Sequence, residues 1–123
     1  MKGRAPTKLI IVDSLERTNS LLAPMKAHFG ETLYITKTDD EFLEFMNPHV
    51  SKAVGLEFTA TRLGIDREAV WAFGDSYNDV PMLEWAGRSF AMANGKPEAR
   101  AAASDAAPDS EDDGVAQILE RAF

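Results

Sequence analysis

Apolar positions fall along this chain in short β-branched runs separated by stretches of helical spacing. Residues 8–13 (KLIIVD) form a run of the strand type. Residues 14–28 carry helical spacing at Leu22, Met25 and Phe29. Pro24 lacks the N–H a helix interior needs, so the pattern predicts a short or kinked helix with Pro24 in its first turn. Gly30 is its natural stop. Residues 33–36 and 42–46 predict two strands joined by the polar Lys37-Thr38-Asp39-Asp40, a hairpin whose turn exceeds two residues. Asn47-Pro48-His49 interrupts the pattern and marks a boundary between residues 1–47 and residues 48–123.

Beyond that boundary Ala53, Leu56, Ala60 and Leu63 fall at i, i+3, i+7 and i+10, one helical face that Gly64 ends. Residues 69–74 read as a strand, 80–86 as a helix, 88–93 as a second strand and 97–103 as a helix. Val115, Ile118, Leu119 and Ala122 mark a last helix, and residues 109–113 (DSEDD) a solvated loop. Strand and helix in alternation predict a parallel sheet with crossover helices, so the fold class is α/β. No internal repeat is present.

Composition narrows the partners. The formal net charge is −7 over 123 residues. Nucleic-acid binders present a basic face to phosphates, so no nucleic acid is expected as a partner. The chain has no cysteine, which excludes disulfides, thiolate metal sites and a Cys nucleophile. No apolar run approaches the ~18 residues of a membrane span, so no membrane partner is expected. The opening residues 1–6 (MKGRAP) are basic but hold no signal-peptide apolar core, and a cytoplasmic, soluble protein is the expectation.

Candidate chemistry concentrates in Trp71-Ala72-Phe73-Gly74-Asp75-Ser76-Tyr77-Asn78-Asp79-Val80-Pro81-Met82-Leu83. A strand runs into Gly-Asp, then a short polar loop, then an Asn-Asp that opens a helix. Two carboxylates and an amide thus stand at the carboxyl end of a strand, where open α/β sheets bind ligands. These residue types suit a Mg²⁺ and phosphate site. His28 and His49 have no partners at metal spacing and read as ordinary surface residues. Trp71 and Phe73 read as core. Trp85 reads as partly exposed, and Glu44 as the solvent side of an alternating strand rather than a group facing the site.

Ser51-Lys52, GDSYNDVPML, Ala86-Gly87, Ala91-Met92-Ala93-Asn94 and Asp113-Gly114-Val115-Ala116 together resemble the haloacid dehalogenase superfamily. The likeness is to its Cof-type phosphatases, which carry an α/β cap, and it spans roughly residues 30–123. Gly95 departs from the Ala usual at that place. The resemblance implies a Rossmann-like core with an inserted cap. Residues 1–47 would then hold the closing βαββ part of the cap, and residues 48–123 the second half of the core. It implies Mg²⁺ as cofactor, Asp75 as a metal ligand, Lys52 as the cation that offsets transition-state charge, and Asn78 as a donor to the phosphoryl group. Asp79 would either orient the metal's waters or Lys52, or cap the helix at Val80 with Pro81 in its first turn. The substrate would be a small phosphorylated metabolite such as a sugar phosphate. A phosphomutase is a variant of the same chemistry.

The family's nucleophile is the first Asp of a DxDGT motif, and that motif is absent from these residues. Asp13-Ser14-Leu15 follows a strand but lacks the second Asp and the Gly-Thr. Two readings result. One is the C-terminal portion of a Mg²⁺-dependent phosphomonoesterase working through a phosphoaspartyl enzyme. The other is a non-catalytic truncated piece or association module, with a strand at 69–74 left as an edge and prone to self-association.

Overall fold

The computed structural model describes residues 6–123; the first five residues of the basic opening segment lie outside them. The chain divides into two compact units, Met1–Val50 and Ser51–Phe123.

In the first unit, β1 (Lys8–Val12), α1 (Leu15–Phe29), β2 (Tyr34–Asp39) and β3 (Phe42–Met46) build an antiparallel sheet in the order β1-β3-β2. The helix starts where two side chains take up its first free donors. Asp13 Oδ1 accepts the Ser14 N–H at 2.7 Å, and Ser14 Oγ accepts the Arg17 N–H at 3.3 Å. The helix then runs unbroken through Pro24, which corrects the expected first-turn position of that residue. Pro24 and Ser20 are both exposed, so the carbonyl that loses its partner faces water and the loss is tolerated. Thr18, fully buried, donates its hydroxyl to the Asp40 carbonyl at 2.6 Å and ties the helix to the hairpin.

The hairpin differs from expectation as well. Lys37, Thr38 and Asp39 are strand, and the turn is only Asp40-Glu41. Polar partners hide these strand residues from a hydrophobicity pattern. Lys37, only 2% exposed, donates Nζ to Asn19 Oδ1 at 2.7 Å. Thr38 Oγ1 donates to Glu44 Oε1 at 3.0 Å. Glu44 is correspondingly buried, its other oxygen accepting from Lys8 Nζ at 2.8 Å, and does not occupy a solvent face.

The second unit runs α2 (Lys52–Leu63), β4 (Trp71–Gly74), α3 (Val80–Trp85), β5 (Arg88–Met92), α4 (Pro97–Ala102), β6 (Asp105–Ala107) and α5 (Gly114–Ala122), with short 3₁₀ turns at Arg67–Ala69, Tyr77–Asp79 and Ser110–Asp112. Its sheet is parallel, in the order β4-β5-β6. β6 escaped the sequence reading because Asp-Ala-Ala carries no strand signature. It is held by its surroundings: the Ser89 N–H donates to Ser104 Oγ and the Ser104 N–H to Ser89 Oγ, each at 3.0 Å, and Arg88 pairs with Asp105. The acidic 109–113 stretch is a 3₁₀ turn capped by Asp109, not a plain loop.

Alternation along β4 divides the core. Ala72 faces Leu83 of α3 and Ala99 of α4, with Leu56 of α2 against them. Trp71 and Phe73 face the other way, packing on Phe90, Met92 and Ile118 of α5. The Phe73 and Phe90 rings stack at 4.9 Å. Small residues on one side of the strand thus admit helices closely, and aromatic ones fill the other. Among the described residues β4 pairs only with β5, so it is an edge. No helix among them is long and apolar enough to cross a membrane. Leu83 is the keystone of the first layer at 1% exposure. Leu83→Ala should lower unfolding free energy by about 2–5 kcal/mol through lost burial and the cavity left behind. Urea denaturation measures it, and a loss under about 1 kcal/mol would show that the layer collapses to fill the gap.

Candidate functional site

All three loops at the carboxyl ends of the parallel strands meet on one side of the second unit. Asp75 follows β4, Asn94 follows β5 and Asp109 precedes the turn after β6. The loops after β4 and β6 border a cavity of about 730 Å³, whose lining includes Lys52, Phe73, Asp75, Asp79, Ser110 and Asp113. Three of the four residues singled out from sequence therefore share one cavity. Asn78, half-buried in the 3₁₀ turn between Tyr77 and Asp79, is not part of its lining.

Asp79 organises this end of the sheet. It is only 2% exposed. Its Oδ2 accepts the N–H groups of Asp75 and Ser76, both at 3.0 Å, and its Oδ1 pairs with Lys52 Nζ. Ser76 and Asp79 form a reciprocal capping box across the 3₁₀ turn. The Asp79 side chain makes no capping bond to α3, although Pro81 does sit in that helix's first turn. Of the two roles left open by the sequence, the geometry favours orientation of Lys52 over capping of α3. Burial pushes the Asp79 carboxyl up. The Lys52 hydrogen bond, the two backbone donors and the Lys52 charge together outweigh it and hold the group below its ordinary value of 3.8.

Gly74 makes the arrangement possible. A Cβ at that position would lie 2.6 Å from Asp79 Cβ and 3.1 Å from Oδ2. No side chain fits between β4 and this carboxylate.

Lys52 is placed against local preference. It is the first residue of α2, whose cap is Ser51 accepting from the Val54 N–H at 3.2 Å. A cation at a helix N-terminus opposes the macrodipole. Its side chain is 48% exposed, against 3% for Asp79, so a half-exposed cation meets an enclosed partner.

Asp75 contrasts with Asp79: its residue is exposed. It offers a hard carboxylate of the kind Mg²⁺ takes. Both Asp79 oxygens are already engaged, and among the described residues no three His, Cys, Asp or Glu side chains converge. The donor set fits Mg²⁺ as one carboxylate supplemented by water and substrate oxygens, a form this ion accepts, and not as a cage.

Sequence reasoning missed Ser110 and Asp113 as cavity residues, and missed the Asp79 link to the Asp75 and Ser76 amides. The signal for the second was present: Ser76-Tyr77-Asn78-Asp79 is an S-x-x-D capping box. From this geometry, Gly74→Ala should destabilise the chain by about 1–3 kcal/mol, as overpacking does. It should also shift the Asp75 and Ser76 amide resonances. Unchanged melting and spectra would show that Asp79 does not depend on the close approach.

The chain matches the family model of haloacid dehalogenase-like hydrolases over residues 1–119. It is 33% identical over 120 residues to a Haemophilus influenzae protein provisionally named a phosphatase, covering 98% of this chain and 45% of that protein. It is 45% identical over 73 residues to a phosphoglycolate phosphatase of Natronomonas pharaonis, covering 59% and 32% respectively. A crystal structure of a haloacid dehalogenase-like hydrolase from Bacteroides thetaiotaomicron superposes with a TM-score of 0.74 at 29% identity, covering 98% of this chain and 46% of that one. The chain thus spans less than half the length of these relatives. With its α/β units, its parallel sheet and a motif that positions Lys52, Asp75 and Asp79 around one cavity, the chain belongs to the haloacid dehalogenase-like hydrolases.

Proposed function

We propose that the second unit supplies the metal- and phosphate-binding side of a Mg²⁺-dependent phosphomonoesterase of the Cof type, and the first unit the closing βαββ part of its cap. The observation that carries this reading is the division of labour between two carboxylates. Asp79 is enclosed and committed to Lys52 and two backbone N–H groups, and Asp75 beside it is exposed. Asp75 would hold the ion, which supplies Lewis-acid stabilisation to a phosphoryl group when bound. Asp79 keeps Lys52 extended toward the cavity. The Lys52 ammonium meets the charge that a phosphoryl group carries into its transition state. Asn78 would donate a hydrogen bond to that group.

The substrate is a small phosphorylated metabolite. Phosphoglycolate, named for one relative, and sugar phosphates share the phosphomonoester these residues would recognise. The attacking carboxylate is not among the groups assembled here. Asp13 follows β1 of the antiparallel sheet, where its Oδ1 accepts the Ser14 N–H.

Calorimetric or NMR titration with Mg²⁺ tests the assignment. Asp75→Asn should abolish measurable binding, and Asp79→Asn should weaken it by about 10–100-fold through misorientation. Equal affinities for the wild type and Asp75→Asn would refute the ligand role. The chain alone should not turn over phosphomonoesters, and turnover that Asp75→Asn abolishes would place the nucleophile within it.

The β4 edge favours a second reading, an association module. Its outer N–H and C=O groups form a template for another strand. Sedimentation from low to high micromolar concentration should then show self-association. A clean monomer throughout, with one cooperative melt, would remove this reading.

A further inference from the structure

The turn after β5 reaches back to Asp75, and the function proposed above gives it no task. The Lys96 backbone N–H donates to the Asp75 carbonyl at 2.7 Å. The Gly95 N–H closes the turn on the Met92 carbonyl at 2.9 Å. A Cβ on Gly95 would stand 3.0 Å from both Asp75 Cα and the Asp75 carbonyl oxygen, and 2.9 Å from Met92 O. Even one methyl group there presses on the Asp75 backbone. On the far side, Asn94 Nδ2 donates to Ser110 Oγ at 2.9 Å, and the Ser110 N–H returns a bond to Asn94 Oδ1 at 3.3 Å. The turn is therefore braced against the next loop while it grips Asp75.

We propose that the Gly95–Lys96 turn positions the Asp75 carboxylate, with Gly95 allowing the close approach and the Lys96 N–H fixing the Asp75 carbonyl. Asp75 is then held at both ends of its own residue: Asp79 takes its N–H and Lys96 its C=O. Between two fixed peptide groups the Cα is held and the direction of its Cα–Cβ bond is set, so the carboxylate swings from one anchored point. Binding constellations need such placement to about half an ångström. The donor in question is the Lys96 backbone N–H; the Lys96 ammonium lies over the Tyr77 ring, 5.8 Å from its centroid, and is tested separately. The inference rests on the reading of Asp75 as a Mg²⁺ ligand for its consequence, but not for its geometry.

Two variants probe the turn by different routes. Gly95→Ala adds the pressing methyl. Lys96→Pro replaces the donor with a ring carbon, at a residue whose φ of −60° already suits proline. Lys96→Ala keeps the donor and serves as the conservative comparison. Gly55→Ala, whose Cβ would meet nothing within 4 Å, controls for adding a methyl elsewhere. ¹H–¹⁵N spectra without metal report the Asp75 and Ser76 amides, and Mg²⁺ titration of the same samples reports affinity.

Gly95→Ala and Lys96→Pro should each displace the Asp75 and Ser76 resonances and weaken Mg²⁺ binding about 10-fold or more, with Lys96→Ala restoring both. Resonances and affinity that stay at wild-type values in Gly95→Ala would overturn the proposal. So would equal effects of Lys96→Pro and Lys96→Ala. Should one variant not fold, the other decides alone. Displaced resonances in a chain whose wild type binds no Mg²⁺ would uphold the positioning role and overturn the metal assignment instead.

Discussion

One buried carboxylate sets the terms for the carboxyl end of this parallel sheet. An ionised Asp79 removed from water needs compensation, because an isolated buried charge is far too costly to persist. Its compensation comes from three directions: the Lys52 ammonium from the start of α2, and the N–H groups of Asp75 and Ser76 from the loop after β4. Each partner is thereby fixed in turn. The loop cannot relax without orphaning the charge, and α2 cannot slide without withdrawing its cation. Gly74 follows from the same constraint, since the carboxylate occupies the space where any side chain on the last residue of β4 would be.

This dependence explains what the sequence discloses and what it hides. The parallel sheet was legible because β4 and β5 are apolar and α2 through α5 keep helical spacing. Asp75 and Asp79 stood out because their motif joins a strand end to a helix start, and Lys52 stood out only through the resemblance that Ser51-Lys52 carries; the structure brings all three to one cavity. Strands stabilised by specific polar partners were not. β6 has no hydrophobic pattern and exists through paired serine bonds, and β2 extends through Lys37 because Asn19 receives its ammonium. A buried charge with a partner looks, in sequence, like a solvated one. Glu44 was misread for this reason: alternation assigns it to water, while Lys8 and Thr38 hold it inside. Pro24 was misread because propensity was weighed without exposure. The lost bond faces solvent, and the capped first turn had already committed the helix.

The two carboxylates also show why residue type alone does not assign roles. Asp75 and Asp79 are four positions apart on one short loop, and both are acids at a ligand-binding end. Burial separates them. Asp79 has every oxygen engaged and is held in its ionised form by its donors, so it acts on geometry. Asp75 stands exposed, so it is the one available to a ligand. The 3₁₀ turn enforces the difference, because its reciprocal capping draws Asp79 inward and leaves Asp75 at the rim.

Charge then bears on the order in which a site of this kind fills. The chain carries a net −7, and among the described residues the cavity lining includes Asp75, Asp79 and Asp113, spread around it, and one cation, Lys52. That cation is largely spent on Asp79. A phosphate dianion approaching these residues alone meets more negative charge than positive at distances too short for salt to screen, within roughly 8–10 Å. On the proposed reading, a divalent cation on Asp75 would cancel that surplus without disturbing the Lys52–Asp79 pair. On the proposed reading, therefore, the acidic surplus is what draws the metal. On the same reading, phosphate affinity would depend on the metal's presence, and Lys52 would contribute fully only once a second positive charge shares the load.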